Sequence, residues 1–208
     1  MRTSARSVSL VLFDEVELFD VACLLQVLSA AGRQWNFRPF KVTAVAETPG
    51  LVDTRAQLRV EAKRPFSEVK TSEIVLVPGG YGARRALANA ALTGWLAEVG
   101  AGADSVIAVG NGILLLAKAG LLANQDVAAP PEIADLLAEL EPTARRDPAA
   151  SFRASGKVLT AATSLAAVDV ALVLVESVLG KKQADGVARA LGQKVEPPST
   201  GVRIVEGE

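Results

Sequence analysis

Few residues in this chain are placed to do chemistry, and they cluster at two turns. The stretch "AVGNGILLL" (108–116) reads as a buried strand that turns sharply into a helix, with Gly110, Asn111 and Gly112 at the join. Strand, tight turn and helix form the setting of a nucleophile elbow. There, backbone angles costing a non-glycine residue about 1–3 kcal/mol aim a reactive atom at a helix N-terminus. Gly110 stands where the reagent would be, so the sequence predicts the pedestal without a nucleophile. A second turn, "VPGGYGARRAL" (77–87), ends a strand at Pro78, and the amides of Gly79 and Gly80 can form an anion-accepting nest with Tyr81 at its edge. The simpler reading of the same residues is a tight strand-to-helix turn. Asp20 lies in the first turn of the helix beginning "ELFDVACLLQ", where the helix dipole alone favours an acid, an explanation shared by Glu15 and Glu17. Cys23 follows three positions later on roughly the same helical face, and its simplest reading is a small apolar filler.

Composition narrows what these residues can do. The chain has no histidine, which excludes Ser-His-Asp and Cys-His mechanisms and any metal site built on imidazole. Its single cysteine excludes an internal disulfide. Chemistry is left to carboxylates, Cys23, hydroxyls, lysines and backbone dipoles, and no cofactor or metal is expected. With 22 basic and 23 acidic residues, the chain lacks the positive surplus that gives nucleic-acid binders their affinity, so no direct nucleic-acid partner is expected. The apolar run around "VALVLV" (170–175) falls short of the roughly 20 residues that cross a bilayer, and the opening residues are expected to enter a strand directly, with no signal peptide expected. The expected setting is the cytoplasm, with no membrane partner.

The elements that must position these turns follow from periodicity. Val- and Ile-rich strands are expected at 7–13, 40–47, 73–78, 105–109 and 157–162, with a further edge or hairpin strand at 57–62. Helices are expected at 16–31, 82–98, 111–119, 131–140, 164–179 and 181–191. The segments 128–132 and 141–151 read as loops. The alternation predicts an α/β fold: a three-layer α/β/α sandwich, flavodoxin-like in outline, with a mostly parallel sheet. Residues 1–192 form one expected domain, and 193–208 an expected loosely attached tail. Right-handed crossovers bring the carboxyl ends of the strands to one rim, where a ligand would bind. The helices at 16–31 and 164–179 are apolar around most of their circumference, which predicts burial in a homodimer.

Four collinear segments, "LFDVACLLQVLSAAG", "IVLVPGGYGARRALANAALTGWLAE", "AVGNGILLLAKAGLL" and "GKVLTAATSLAAVDVALVLVE", resemble the landmarks of the ThiJ/PfpI superfamily, class I glutamine-amidotransferase-like, nearest its isonitrile hydratase branch. The resemblance spans roughly residues 7–190. It implies that Asp20 matches the carboxylate that hydrogen-bonds a reactive thiol, and that Gly110 falls on the cysteine, Asn111 on the threonine after it and Gly112 on the elbow glycine. Pro130 falls on the histidine, Cys23 on a proline, and Asp169 on an aspartate read as structural. It also implies dimers. The expected function is a catalytically diverged member that binds a small polar molecule at a site of Asp20, Gly79, Gly80, Tyr81, Gly110 and Asn111. One alternative is an isonitrile hydratase-like or hydrolytic enzyme in which Asp20 activates water. The other is a sensor module related to the ligand domains of AraC-type regulators.

Overall fold

The computed structural model describes residues 5–33 and 38–193. In chain order its elements are β1 (Arg6–Val11), α1 (Leu18–Arg33), β2 (Phe40–Ala46), β3 (Gly50–Asp53), β4 (Arg59–Ala62), β5 (Arg64–Pro65), β6 (Ile74–Val77), α2 (Ala83–Ala86), α3 (Ala90–Gly102), β7 (Ser105–Val109), α4 (Ile113–Lys118), β8 (Asp126–Val127), α5 (Ala134–Leu140), β9 (Arg145–Arg146), β10 (Phe152–Ser155), β11 (Val158–Ala161), α6 (Ala166–Leu179) and α7 (Lys181–Ala190). The central sheet runs β10-β11-β7-β6-β1-β2-β5. All its pairings are parallel except β10 with β11. Strands β6 and β11 are buried along their whole length, so β6 is a continuous apolar run, and the one polar residue of β11, Thr160, accepts from the Ala128 amide at 2.9 Å. Helices α1, α6 and α7 pack together, as do α2, α3, α4 and α5 in a second group. The architecture is the flavodoxin-like sandwich that the sequence predicts.

The differences from the sequence-based expectation have local causes. The expected helix at 82–98 is two helices, because the Asn89 side chain accepts from the Leu92 amide at 3.0 Å and starts α3 afresh. The strand expected at 57–62 is β4, and it pairs antiparallel with β3 in a hairpin outside the main sheet. Sequence periodicity did not reveal β3, β5, β8, β9 or β10, each of four residues or fewer. Periods of two or 3.6 need longer runs to register. Of the expected C-terminal tail, 194–208 lies outside the described residues. Among the described residues no helix is long and apolar enough to cross a membrane.

The parallel strands place the segments after β1, β6, β7 and β11 along one rim. A tight turn over 13–16 carries the chain from β1 to α1, with Val16 forming isolated bridges to Thr54 of the hairpin loop and to Gly80 after β6. The start of α1 is thereby fixed against the end of β6.

Candidate functional site

Asp20 is the centre of this rim. It is 1% exposed, and its Oδ2 accepts from the Gly79 amide at 2.8 Å. The Gly79 carbonyl in turn accepts from the Glu17 amide at 2.9 Å. Both polar groups of Gly79 are therefore engaged by the first turn of α1. The Gly79 amide, read from sequence as a ligand donor, instead positions the carboxylate. A β-carbon at Gly79 would lie 2.9 Å from Asp20 Oδ2, 2.9 Å from the Val109 carbonyl and 3.3 Å from the Asn111 amide, so these groups converge on one α-carbon.

The elbow follows. Residues Gly110–Gly112 form a single 3-10 turn between β7 and α4. Gly110 has φ +52°, the left-handed region in which side chains other than hydrogen are strained. A β-carbon built there meets nothing within 4 Å, so the position faces open space. Gly112 differs: its φ is ordinary, but a β-carbon would lie 2.4 Å from the Pro78 carbonyl oxygen and 2.7 Å from that of Val77. One glycine is required by backbone angle and the other by close approach to β6. Asn111 is half-buried, and its Nδ2 makes a long 3.5 Å contact to the Gly80 carbonyl.

Burial raises the Asp20 carboxyl above the usual carboxylate range, the Ser164 hydroxyl and Gly79 amide pull it back, and the charge of Glu17 pushes it up again. Asp20 Oδ1 is buried and has no hydrogen-bond partner. Ser164, in the segment after β11, escaped the sequence reading. Its signal was its place: a hydroxyl residue just past a buried strand on the rim that collects the other site residues.

The remaining sequence candidates fall around this centre. Tyr81 is 66% exposed, with the Arg55 guanidinium 4.9 Å from its ring centroid. Arg85 pairs with Asp14 and Glu15, completing an exposed charged fringe beside the glycine turn. Cys23 is half-buried, and burial and then the charge of Asp20 push its thiol above the usual range, so it is held as the thiol and not the thiolate. It lines a groove of about 380 Å³ with Phe19, Gln26, Val168, Leu191 and Gln193, and neither Asp20 nor Gly110 borders this groove. Asp169 is also raised by burial, and its Oδ1 accepts from Gln193 Nε2 at 3.5 Å, just past the end of α7. Pro130 precedes the 3-10 turn Pro131–Ile133 and brings no titratable group. Among the described residues no group of three or more Cys, Asp or Glu side chains could hold a metal ion.

Comparison with known proteins agrees with this fold. The model of the DJ-1/PfpI family matches residues 6–177. A ThiJ/PfpI family protein from Pseudomonas syringae superposes with a TM-score of 0.83 at 20% identity, over 97% of this chain and 80% of the other. DJ-1beta from Drosophila melanogaster gives 0.79 at 19% identity, over 92% and 100%. An AraC family transcriptional regulator from Pseudomonas putida gives 0.74 at 24% identity, over 89% and 99%. A search of curated proteins found no match.

Two outcomes follow from the site. Gly112→Ala drives a methyl group into backbone carbonyls and lowers stability by about 3 kcal/mol or more, whereas Gly110→Ala meets no atom and costs only its backbone angle, about 1 kcal/mol. Denaturant unfolding of both variants checks the order, and equal losses would refute the distinction. For Asp20, a raised folded pKa means that between the ordinary carboxylate value and the folded value the folded state holds more protons than the unfolded one. Stability from this group is thus present at low pH and lost as pH rises through that window. Asp20→Asn keeps an acceptor for the Gly79 amide without the buried charge. Its stability advantage over the parent should grow from acidic to neutral pH, and an advantage that stays flat across that range would overturn the buried-charge account.

Proposed function

Because the chain belongs to the DJ-1/PfpI family, we propose that it is a catalytically diverged member that binds a small polar molecule at the elbow. One observation carries this reading: the elbow backbone is kept in its left-handed form at Gly110, beside a buried carboxylate with a free oxygen, yet no nucleophilic side chain is mounted on it. A thiolate mechanism needs a sulfur there. Cys23 sits in α1, in a groove that Gly110 does not border, with its thiol held protonated. The likeness to an AraC family regulator suits a sensing role, in which occupancy of the site is read by another chain.

A second reading has its own observation. A carboxyl raised by burial makes a better general base near neutrality than an ordinary aspartate, so Asp20 is suited to deliver water to an isonitrile or carbonyl carbon. The two readings part in one experiment. Glyoxalase, protease and isonitrile hydratase assays should give no turnover above a heat-treated control. Turnover that Asp20→Asn abolishes and Cys23→Ser spares would replace the binding reading with the water-activating one.

We also infer a two-fold dimer. The outward positions of α6, including Val168, Leu172 and Val173, are apolar and only half-buried, and Phe19 of α1 is 48% exposed. A second copy would cover them. Sedimentation should give about twice the 21.6 kDa of one chain, and a monomer at all concentrations would refute the dimer.

A further inference from the structure

The proposed binding site leaves the class of molecule open, and three features narrow it. Asp20 Oδ1 is a buried acceptor that no donor reaches with hydrogen-bond geometry, the Ser164 hydroxyl acting on the carboxyl without closing such a bond, and burial makes an incompletely met carboxylate oxygen costly. Its carboxyl is acted on by Gly79, which follows β6, and by Ser164, which follows β11. Strand β7 lies between those two strands and ends at Val109, and a β-carbon at Gly79 would lie 2.9 Å from Asp20 Oδ2 and 3.3 Å from the Asn111 amide, so the carboxyl and the open elbow share one stretch of rim. The charged side chain acting on Asp20 is another acid, Glu17. An anion brought here meets two carboxylates. Two of the segments that build the site also carry an exposed large apolar or aromatic residue one position from a site residue: Tyr81 beside Gly80 and Leu165 beside Ser164.

We propose that the elbow takes a small molecule headed by an N–H donor, a primary ammonium or a primary amide, with the donor on Asp20 Oδ1 beside Gly110 and a short apolar body toward Tyr81 and Leu165. This rests on the reading of the elbow as a binding site and gives that site a sign: it selects donors and rejects anions. The anion-accepting role that sequence assigned to the glycine turn is correspondingly weakened, since the Gly79 amide is already taken by Asp20.

Three probes of one shape test it: propylammonium, propionamide and propionate, titrated into the full-length protein and followed by amide chemical shifts. Propylammonium or propionamide should shift the amides of Gly110, Asn111 and Ser164, and propionate should not. Which of the first two binds more tightly decides whether the head is charged or neutral. Asp20→Asn should weaken propylammonium by about tenfold. Glu17→Gln, at a more exposed position, should weaken propylammonium and leave propionamide unchanged, and it supplies the same information if Asp20→Asn does not fold. Propionate binding at these residues as tightly as the other two would overturn the donor assignment and leave the binding site standing. Failure of all three probes to shift them would overturn both.

Discussion

The hydrogen bond from the Gly79 amide to Asp20 Oδ2, closed by the Glu17 amide on the Gly79 carbonyl, is the constraint on which the rest of the rim depends. It fastens the first turn of α1 to the end of β6 through one peptide-bearing residue, using both of that residue's polar groups. A buried amide or carboxylate oxygen left unpaired costs on the order of 1–3 kcal/mol, so neither partner can drift without penalty. With β6 fixed in this way, the Val77 and Pro78 carbonyls press so closely on the next turn that residue 112 has room only for hydrogen. The elbow therefore inherits its position from the carboxylate, and does not merely lie beside it.

The same bond separates the interior of the site from its margin. Inside are Asp20 at 1% exposure and a hydroxyl from the loop after β11. Outside, Arg55, Arg85, Asp14 and Tyr81 are all more than half exposed, and pairs of that kind contribute little to stability in water. Glu15 joins the two zones: its backbone is in the left-handed region at φ 56°, its amide donates to the Asp53 carbonyl, and its carboxylate faces Arg85. The margin can vary in charge without moving the carboxylate, because the backbone bonds between 15–17 and 79–80, not the ion pairs, hold the segment.

Much of this was legible in the sequence, for physical reasons that also mark where legibility stops. The strands β1, β6, β7 and β11 announce themselves because burial over most of their length favours short runs rich in Val, Ile, Leu and Ala. Gly110 and Gly112 were readable as an elbow because strand, glycine turn and helix succeed one another within nine residues of "AVGNGILLL". The break at Asn89 was not, since a capping side chain competes with helical periodicity only once the following amides are in place. Nor was the role of Ser164, which lies far from Asp20 in the chain and meets it only because β11 sits two strands from β6. Spacing along a chain reports neighbours on one element, while this carboxyl is governed by three.

The two oxygens of Asp20 finally do different work, and that division separates a structural aspartate from one kept for a ligand. Oδ2 makes the tie to Gly79, and an uncharged acceptor of the same shape could make it equally well. Oδ1 has no partner at hydrogen-bond geometry, and burial, with the neighbouring charge of Glu17 adding to it, raises the cost of ionising the group against the pull of the Ser164 hydroxyl and the Gly79 amide. A residue serving only to join α1 to β6 would be better without it. The surplus oxygen lowers stability as pH rises toward neutrality, in the direction expected where a fold trades stability for a site. It sits at the stretch of rim where the backbone at Gly110 is held open and no side chain fills the space. An unmet acceptor and an unfilled space at one place are complementary deficits, and a single donor-bearing molecule of a few atoms satisfies both.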